Sequence, residues 1–266
     1  VTRIFSGAVL LVFAVTVVWL APPLLFLLIA EALVVLACIE YAGLARGSDL
    51  DISVAVATAA AMLTAAAFAP IALRALFWAP VDTVLMSALI ASGAVAVARW
   101  EGGRDALANV SASLLPALYL GLPIGAMIAI REMYGAETLF LLMLTVVASD
   151  TAQYYAGRQF GRRKLAPVVS PKKTIEGAIG GFLTGGVLMA VVGIWWLPAA
   201  PPGLRALLGV TIVALGIAGD LFESMLKRSA GVKDSSALIP GHGGVLDRID
   251  ALLFAAPIYY VVLKYI

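Results

Sequence analysis

The run GDLFESMLKRS sets Asp220, Glu223, Ser224 and Lys227 at i, i+3, i+4 and i+7. On a helix that spacing gathers the four side chains into one stripe. Further on, LDRID places Asp247 and Asp250 one helical turn apart, with Arg248 between them. Carboxylate oxygens suit a hard cation such as Mg²⁺, which binds one or two of them and fills its other positions with water and substrate phosphates. If the two helices pack antiparallel, Asp220 and Asp247 could share such a cation. In the alternative reading Lys227 or Arg248 neutralises an aspartate and the charges only fix helix packing; spacing alone does not choose between them.

Two further segments have the residue types that meet phosphate. PGHGG contains the single histidine, His242, and a lone His without a second His or Cys does not make a zinc site. Its neighbours Gly243 and Gly244 let backbone approach a ligand and turn N–H groups toward an anion, which favours phosphate contact over general-base work for His242. The other segment, GRQFGRRKLAPVVSPKKTIEGAIGG, runs from Gly157 to Gly181. Ser170 or Thr174 can cap the next helix, with Pro171 at its first position, so that Lys172 and Lys173 stand at a helix N-terminus. The helix dipole disfavours cations there unless an anion shares the site. Arg158 to Lys164 need no more than an anchoring role at the membrane surface. Asp150, with Gln153 and Tyr154 at i+3 and i+4, gives an apolar helix a polar face, either a further wall of the same cavity or a structural hydrogen-bonding group. Asp150, Glu176, Glu223 and Asp250 are secondary candidates.

The elements that must position these groups are membrane helices. The chain of 266 residues is 62% hydrophobic and 13% charged, with a mean hydropathy of +1.03, far outside soluble averages. Its net charge of +2 gives no reason to expect a nucleic-acid partner. Nine segments approach the length of apolar chain that a span requires: 4–20, 22–39, 52–73, 81–98, 111–130, 137–157, 175–197, 204–226 and 247–266. The expected fold is all-α and polytopic. Trp19, where a small residue would precede cleavage, favours a first span over a signal peptide. With the N-terminus in the cytoplasm, fourteen of the eighteen Lys and Arg fall in inside segments, leaving Arg74, Arg131, Arg205 and Lys264 outside. Lone Cys38 has no intrachain partner. The glycine row Gly177, Gly181, Gly185 reads as a surface for close helix packing. The long basic connections at 158–174 and 227–246 concentrate function in a C-terminal catalytic region, 111–266, after an N-terminal membrane region, 1–110. At about 1.5 Å per residue, Asp220 lies on the order of 10 Å deeper than Lys227.

The stretch SMLKR, four residues, then KDSSALIPGHGGVLDRID resembles the signature of the phosphatidate cytidylyltransferases, also called CDP-diacylglycerol synthases, throughout Ser224–Asp250. SPKKTIEGAIGG resembles a second block of that family, so the likeness is specific over about residues 145–255 and rests on hydropathy alone before that. The resemblance implies transfer of CMP from CTP to phosphatidic acid, giving CDP-diacylglycerol and pyrophosphate. The lipid phosphate would attack, so no protein nucleophile is needed. It further implies Asp220 and Asp247 as Mg²⁺ ligands with Ser224 near the ion, and leaves open a second cation. Lys227 joins the two aspartates in the catalytic set; Arg228, Lys233, His242 and Arg248, together with Lys172 and Lys173, would hold phosphates, and Ser170, Thr174, Gly243 and Gly244 complete the substrate-binding set. A homodimer in the inner (plasma) membrane, with its active site toward the cytoplasm, is the implied setting.

Two other classes compete. A transporter also uses intramembrane carboxylates and glycine-rich helices, but leaves the two phosphate-like loops unexplained. A CTP-dependent polyisoprenol kinase needs the same basic loops and Mg²⁺. A CDP-alcohol phosphotransferase is opposed by the lack of a DGxxAR helix with spaced aspartates.

Overall fold

The computed structural model describes residues 2–69, 79–239, 241 and 243–266, and of residues 2–6 the backbone only. The helices are α1 (Thr2–Leu20), α2 (Pro23–Gly47), α3 (Val54–Ala66), α4 (Val81–Arg99), α5 (Ala106–Pro116), α6 (Leu122–Tyr134), α7 (Ala136–Phe160), α8 (Ile175–Trp196), α9 (Pro202–Ser229) and α10 (Leu246–Leu263). A π-helical turn, Ala117–Gly121, joins α5 to α6, and a hairpin of β1 (Lys164–Ala166) and β2 (Ser170–Thr174) joins α7 to α8. Among the described residues six stretches are long and apolar enough to cross a membrane: Pro23–Gly47, Val81–Arg99, Ala106–Tyr134, Ala136–Phe160, Ile175–Trp196 and Pro202–Ser229. The protein is an all-α, polytopic membrane protein. Large side chains such as Ile90 and Val97 in α4 are 71% and 80% exposed, as expected where lipid is the solvent.

Punctuation by proline and glycine sets several boundaries. Pro23 opens α2 at a position where no N–H is needed, and Pro80 precedes α4. The π-helical turn lies between Pro116 and Pro123, and Pro123 has no N–H to give the carbonyl of Tyr119. Two hydropathy limits differ most from the fold. α2 runs past residue 39 to Gly47, taking in Glu40 and Arg46. α3 ends at Ala66, short of the expected 73, and residues 70–73 of that expectation lie outside the described residues.

The chain divides into two compact units, Val1–Met133 with Leu226–Arg248, and Tyr134–Met225 with Ile249–Ile266. In the first, Ala60, Ala88 and Ala117 from α3, α4 and the π-helical turn form a small-residue core flanked by Leu85 and Leu114. The Tyr41 hydroxyl donates to the carbonyl of Ala112 at 3.0 Å, tying α2 to α5. Arg131 donates to the carbonyls of Val18 and Ala21 at the end of α1 and lies over the Phe26 ring. In the second unit α8 packs along α7 on its glycine row. A Cβ at Gly177 would meet the Gln153 carbonyl, one at Gly181 the Gln153 side chain, and one at Gly185 Val213 of α9. The close approach expected from the GxxxGxxxG pattern is therefore present.

Candidate functional site

The second unit holds a cavity of about 300 Å³ lined by Asp150, Gln153, Tyr154, Gly157 and Arg158 from α7, Leu165 of β1, Lys172, Lys173 and Thr174 of β2, and Gly177 and Ala178 of α8. Each wall has a local cause. Asp150, Gln153, Tyr154, Gly157 and Arg158 recur at helical spacing, so one face of α7 supplies them. Thr174 ends the hairpin and caps α8, its hydroxyl accepting from the N–H of Gly177 at 3.1 Å.

That cap corrects the expected register of the segment. Ser170 does not cap a helix and Pro171 does not open one: Ser170–Thr174 is a strand, with Ala166 opposite Ser170 and Lys164 opposite Thr174. Proline is tolerated because this two-stranded ribbon consists of edges only. Lys172 and Lys173 thus lie on a strand that leads into α8, before its cap. Glu176, a secondary candidate, accepts from the backbone N–H groups of Arg162 at 3.0 Å and Arg163 at 3.2 Å, closing the base of the hairpin.

Lys173 reaches out of this group to Asp220 on α9, with Nζ 2.6 Å from Oδ2. Among the described residues the other oxygen of Asp220 accepts only a long bond from Ser224 Oγ, at 3.3 Å. Asp150 accepts from Gln153 Nε2 at 2.9 Å. Glu223 is fully buried, consistent with an inward stripe on α9. Asp250 accepts from its neighbour's N–H, that of Ala251. A cluster that sequence spacing distributes over 70 residues is thus built around one lysine–aspartate pair, with hydroxyl, amide and carboxylate groups close by.

The first unit holds a different centre. Lys227 Nζ lies 2.5 Å from Asp247 Oδ1, and the two side chains are 10% and 6% exposed. Asp247 Oδ2 accepts from the Ser235 N–H at 2.9 Å, the Ser235 hydroxyl at 2.7 Å and the Gly244 N–H at 2.8 Å. The lysine–aspartate pairing set out as the alternative to a metal is therefore present in this structure, although not with Arg248, which is exposed. Arg228 donates to the carbonyl of Val232, and Lys233 is exposed. Pro240 and His242 lie outside the described residues.

The glycines of this loop serve close approach, but the anions they admit belong to the chain. Gly243 has φ +78°, in the left-handed region. A Cβ at Gly244 would strike the Ser235 hydroxyl and both carboxylate oxygens of Glu40. Glu40, on α2, accepts from the N–H groups of Val245 at 2.9 Å and Leu246 at 2.8 Å, and from the hydroxyls of Ser236 at 2.7 Å and Ser235 at 3.0 Å. Sequence reasoning did not single out Glu40. The available signal was a carboxylate in an apolar run, IEYAGLA, where an ionisable residue is costly unless it has partners.

Among the described residues no three His, Cys, Asp or Glu side chains converge as a metal cage. Mg²⁺ does not require one, because one or two carboxylates with water and phosphate suffice. Asp220 fits that use, being one-third exposed with an oxygen only weakly engaged.

Comparison with known proteins gives the context. The chain is 38% identical over 269 residues to a protein of Pseudomonas aeruginosa named phosphatidate cytidylyltransferase, covering 98% of this chain and 96% of the relative. It is 38% identical over 188 residues to a Helicobacter pylori protein of the same name, spanning 70% of this chain and 66% of that one. The match to a Haemophilus influenzae protein, again so named, is 48% identical over 131 residues and spans 45% of its length. The Cytidylyltransferase family pattern matches residues 1–266, and the chain belongs to that family.

Proposed function

We propose that the protein transfers CMP from CTP to phosphatidic acid, forming CDP-diacylglycerol and pyrophosphate. The observation that carries this reading is the near-full-length similarity to the Pseudomonas aeruginosa protein. The geometry agrees with it, since a membrane-spanning scaffold holds two basic and acidic centres of the kind that a triphosphate and a lipid phosphate require. In the reaction an oxygen of the lipid phosphate forms a bond to the α-phosphorus of CTP while the bond from that phosphorus to the bridging oxygen of the β-phosphate breaks. Lys172 and Lys173 hold phosphate oxygens at the cavity, and Arg158 adds charge at its rim. Lys227 neutralises Asp247 until a phosphate competes for the ammonium. Arg228, Lys233, His242 and Arg248 are proposed phosphate contacts in the loop. Mg²⁺, with Asp220 and Asp247 as its proposed carboxylates, would supply charge neutralisation at the phosphates.

The same reading has nine spans, an N-terminus in the cytoplasm and a site open to the inner leaflet, where the excess of Lys and Arg belongs. A homodimer is its expected assembly.

The test uses purified protein in detergent with phosphatidic acid, Mg²⁺ and CTP labelled at either the α- or the γ-phosphate. Label from the α-position must enter the lipid. Entry of γ-label instead makes the protein a CTP-dependent kinase, and transfer of neither returns the transporter.

A further inference from the structure

We propose that Glu40 of α2 is a positioning residue for the proposed cytidylyl transfer, holding the loop before α10 so that Asp247 and Lys227 keep their arrangement. Four donors converge on its carboxylate: the Val245 and Leu246 N–H groups and the hydroxyls of Ser235 and Ser236. Glu40 is 5% exposed, so water does not replace these donors. The two N–H groups belong to the start of α10, where the first turn has no carbonyl partners and an anion is favoured by the dipole.

The link to Asp247 is direct. The Ser235 hydroxyl has one proton and two carboxylate oxygens within reach, Asp247 Oδ2 at 2.7 Å and Glu40 Oε2 at 3.0 Å. Gly244, whose N–H donates to Asp247, also lies against Glu40 so closely that no Cβ fits between them. Residues 226–248 are anchored to α2 again at its far end, where Gly47 faces Ala230 and the Ser48 hydroxyl lies 3.4 Å from that of Ser229. The N-terminal region, which has no phosphate-binding pattern of its own, thereby acts on the site through one carboxylate. Outer partners of catalytic carboxylates typically change affinity or activity about 10- to 100-fold when removed.

The experiment compares wild type, Glu40→Gln, Glu40→Asp and Glu40→Ala as full chains in nanodiscs. Backbone amide exchange at whichever of Val245 and Leu246 faces the new amide nitrogen should accelerate at least about tenfold in Glu40→Gln, because that nitrogen cannot accept an N–H while the remaining side-chain oxygen still accepts from the other. Turnover per folded enzyme should fall about 10- to 100-fold, with the KM for CTP less affected and with partial recovery in Glu40→Asp. Should Glu40→Ala not fold, the isosteric Gln variant still decides. Unchanged exchange at both amides overturns the clamp, and faster exchange with wild-type turnover overturns the positioning role. The kinetic arm rests on the proposed transfer; if wild type itself moves no α-label to lipid, that reading fails, while amide exchange still judges Glu40.

Discussion

Both units contain a lysine bonded to an aspartate, yet the two pairs differ in everything around them. Lys227 and Asp247 are 10% and 6% exposed, and the aspartate's second oxygen accepts three further bonds. Lys173 and Asp220 are 20% and 34% exposed, and among the described residues the second oxygen of Asp220 has a single long partner. A buried, saturated pair resists exchange of partners, because each loss strands a charge in a poorly solvated place. A wetter pair with a free coordination position gives up its partner at little cost. Asp220 is thus the better placed of the two to accept an incoming cation, and Asp247 the better placed to hold a loop.

Exchanging each aspartate for asparagine breaks this contrast most sharply. In Asp247→Asn the side-chain carbonyl can stay with the Ser235 and Gly244 N–H groups, but the new amide nitrogen then faces the Lys227 ammonium, donor against donor. Breaking a buried pair costs about 3–5 kcal/mol, so thermal unfolding in detergent should show a clear loss of stability, and activity should nearly vanish even at saturating Mg²⁺. Wild-type melting of this variant would refute the structural importance of the pair.

Asp220→Asn gives the opposite profile. A partly exposed pair that solvent screens contributes about 0–1 kcal/mol, so melting should stay close to wild type while cytidylyl transfer to lipid is nearly abolished. Wild-type rates at saturating Mg²⁺ would remove Asp220 from the proposed metal site. A melting loss as large as that of Asp247→Asn would erase the distinction between the pairs.

How far this contrast was legible in the sequence follows from the range of the signals. Helices such as 81–98, 137–157 and 175–197 were readable because apolar runs report the solvent directly, and Gly177, Gly181 and Gly185 reported a packing face by their period. The stripe Asp220, Glu223, Ser224, Lys227 was legible for the same reason. Lys173–Asp220 was not, because nothing local says that a strand residue will meet a carboxylate two elements later. The strand itself was hidden: SPKKT offers two hydroxyl residues as caps, and only the pairing of Ala166 with Ser170 decides for Thr174. Glu40 was hidden most completely, since its four donors come from about two hundred residues further along the chain.

The smallest expected effect separates the pairs through their serines. Ser224 gives Asp220 one bond at 3.3 Å, long enough that Ser224→Ala should change melting by no more than about 0.5 kcal/mol, the lower edge for a hydrogen bond. Ser235 gives Asp247 a bond at 2.7 Å and also lies 3.0 Å from Glu40, so Ser235→Ala removes the one proton that two carboxylates share in a half-buried place. Its cost should be about 1.5–3 kcal/mol, the range for a hydrogen bond to a charged group. Ser235→Thr keeps the hydroxyl and should restore much of that loss where its added methyl fits, whereas Ser224→Thr should be indistinguishable from Ser224→Ala in stability. Equal costs for the two alanine variants, measured by denaturation in the same detergent, would mean that the saturated centre in the first unit and the open one in the second hold their aspartates alike.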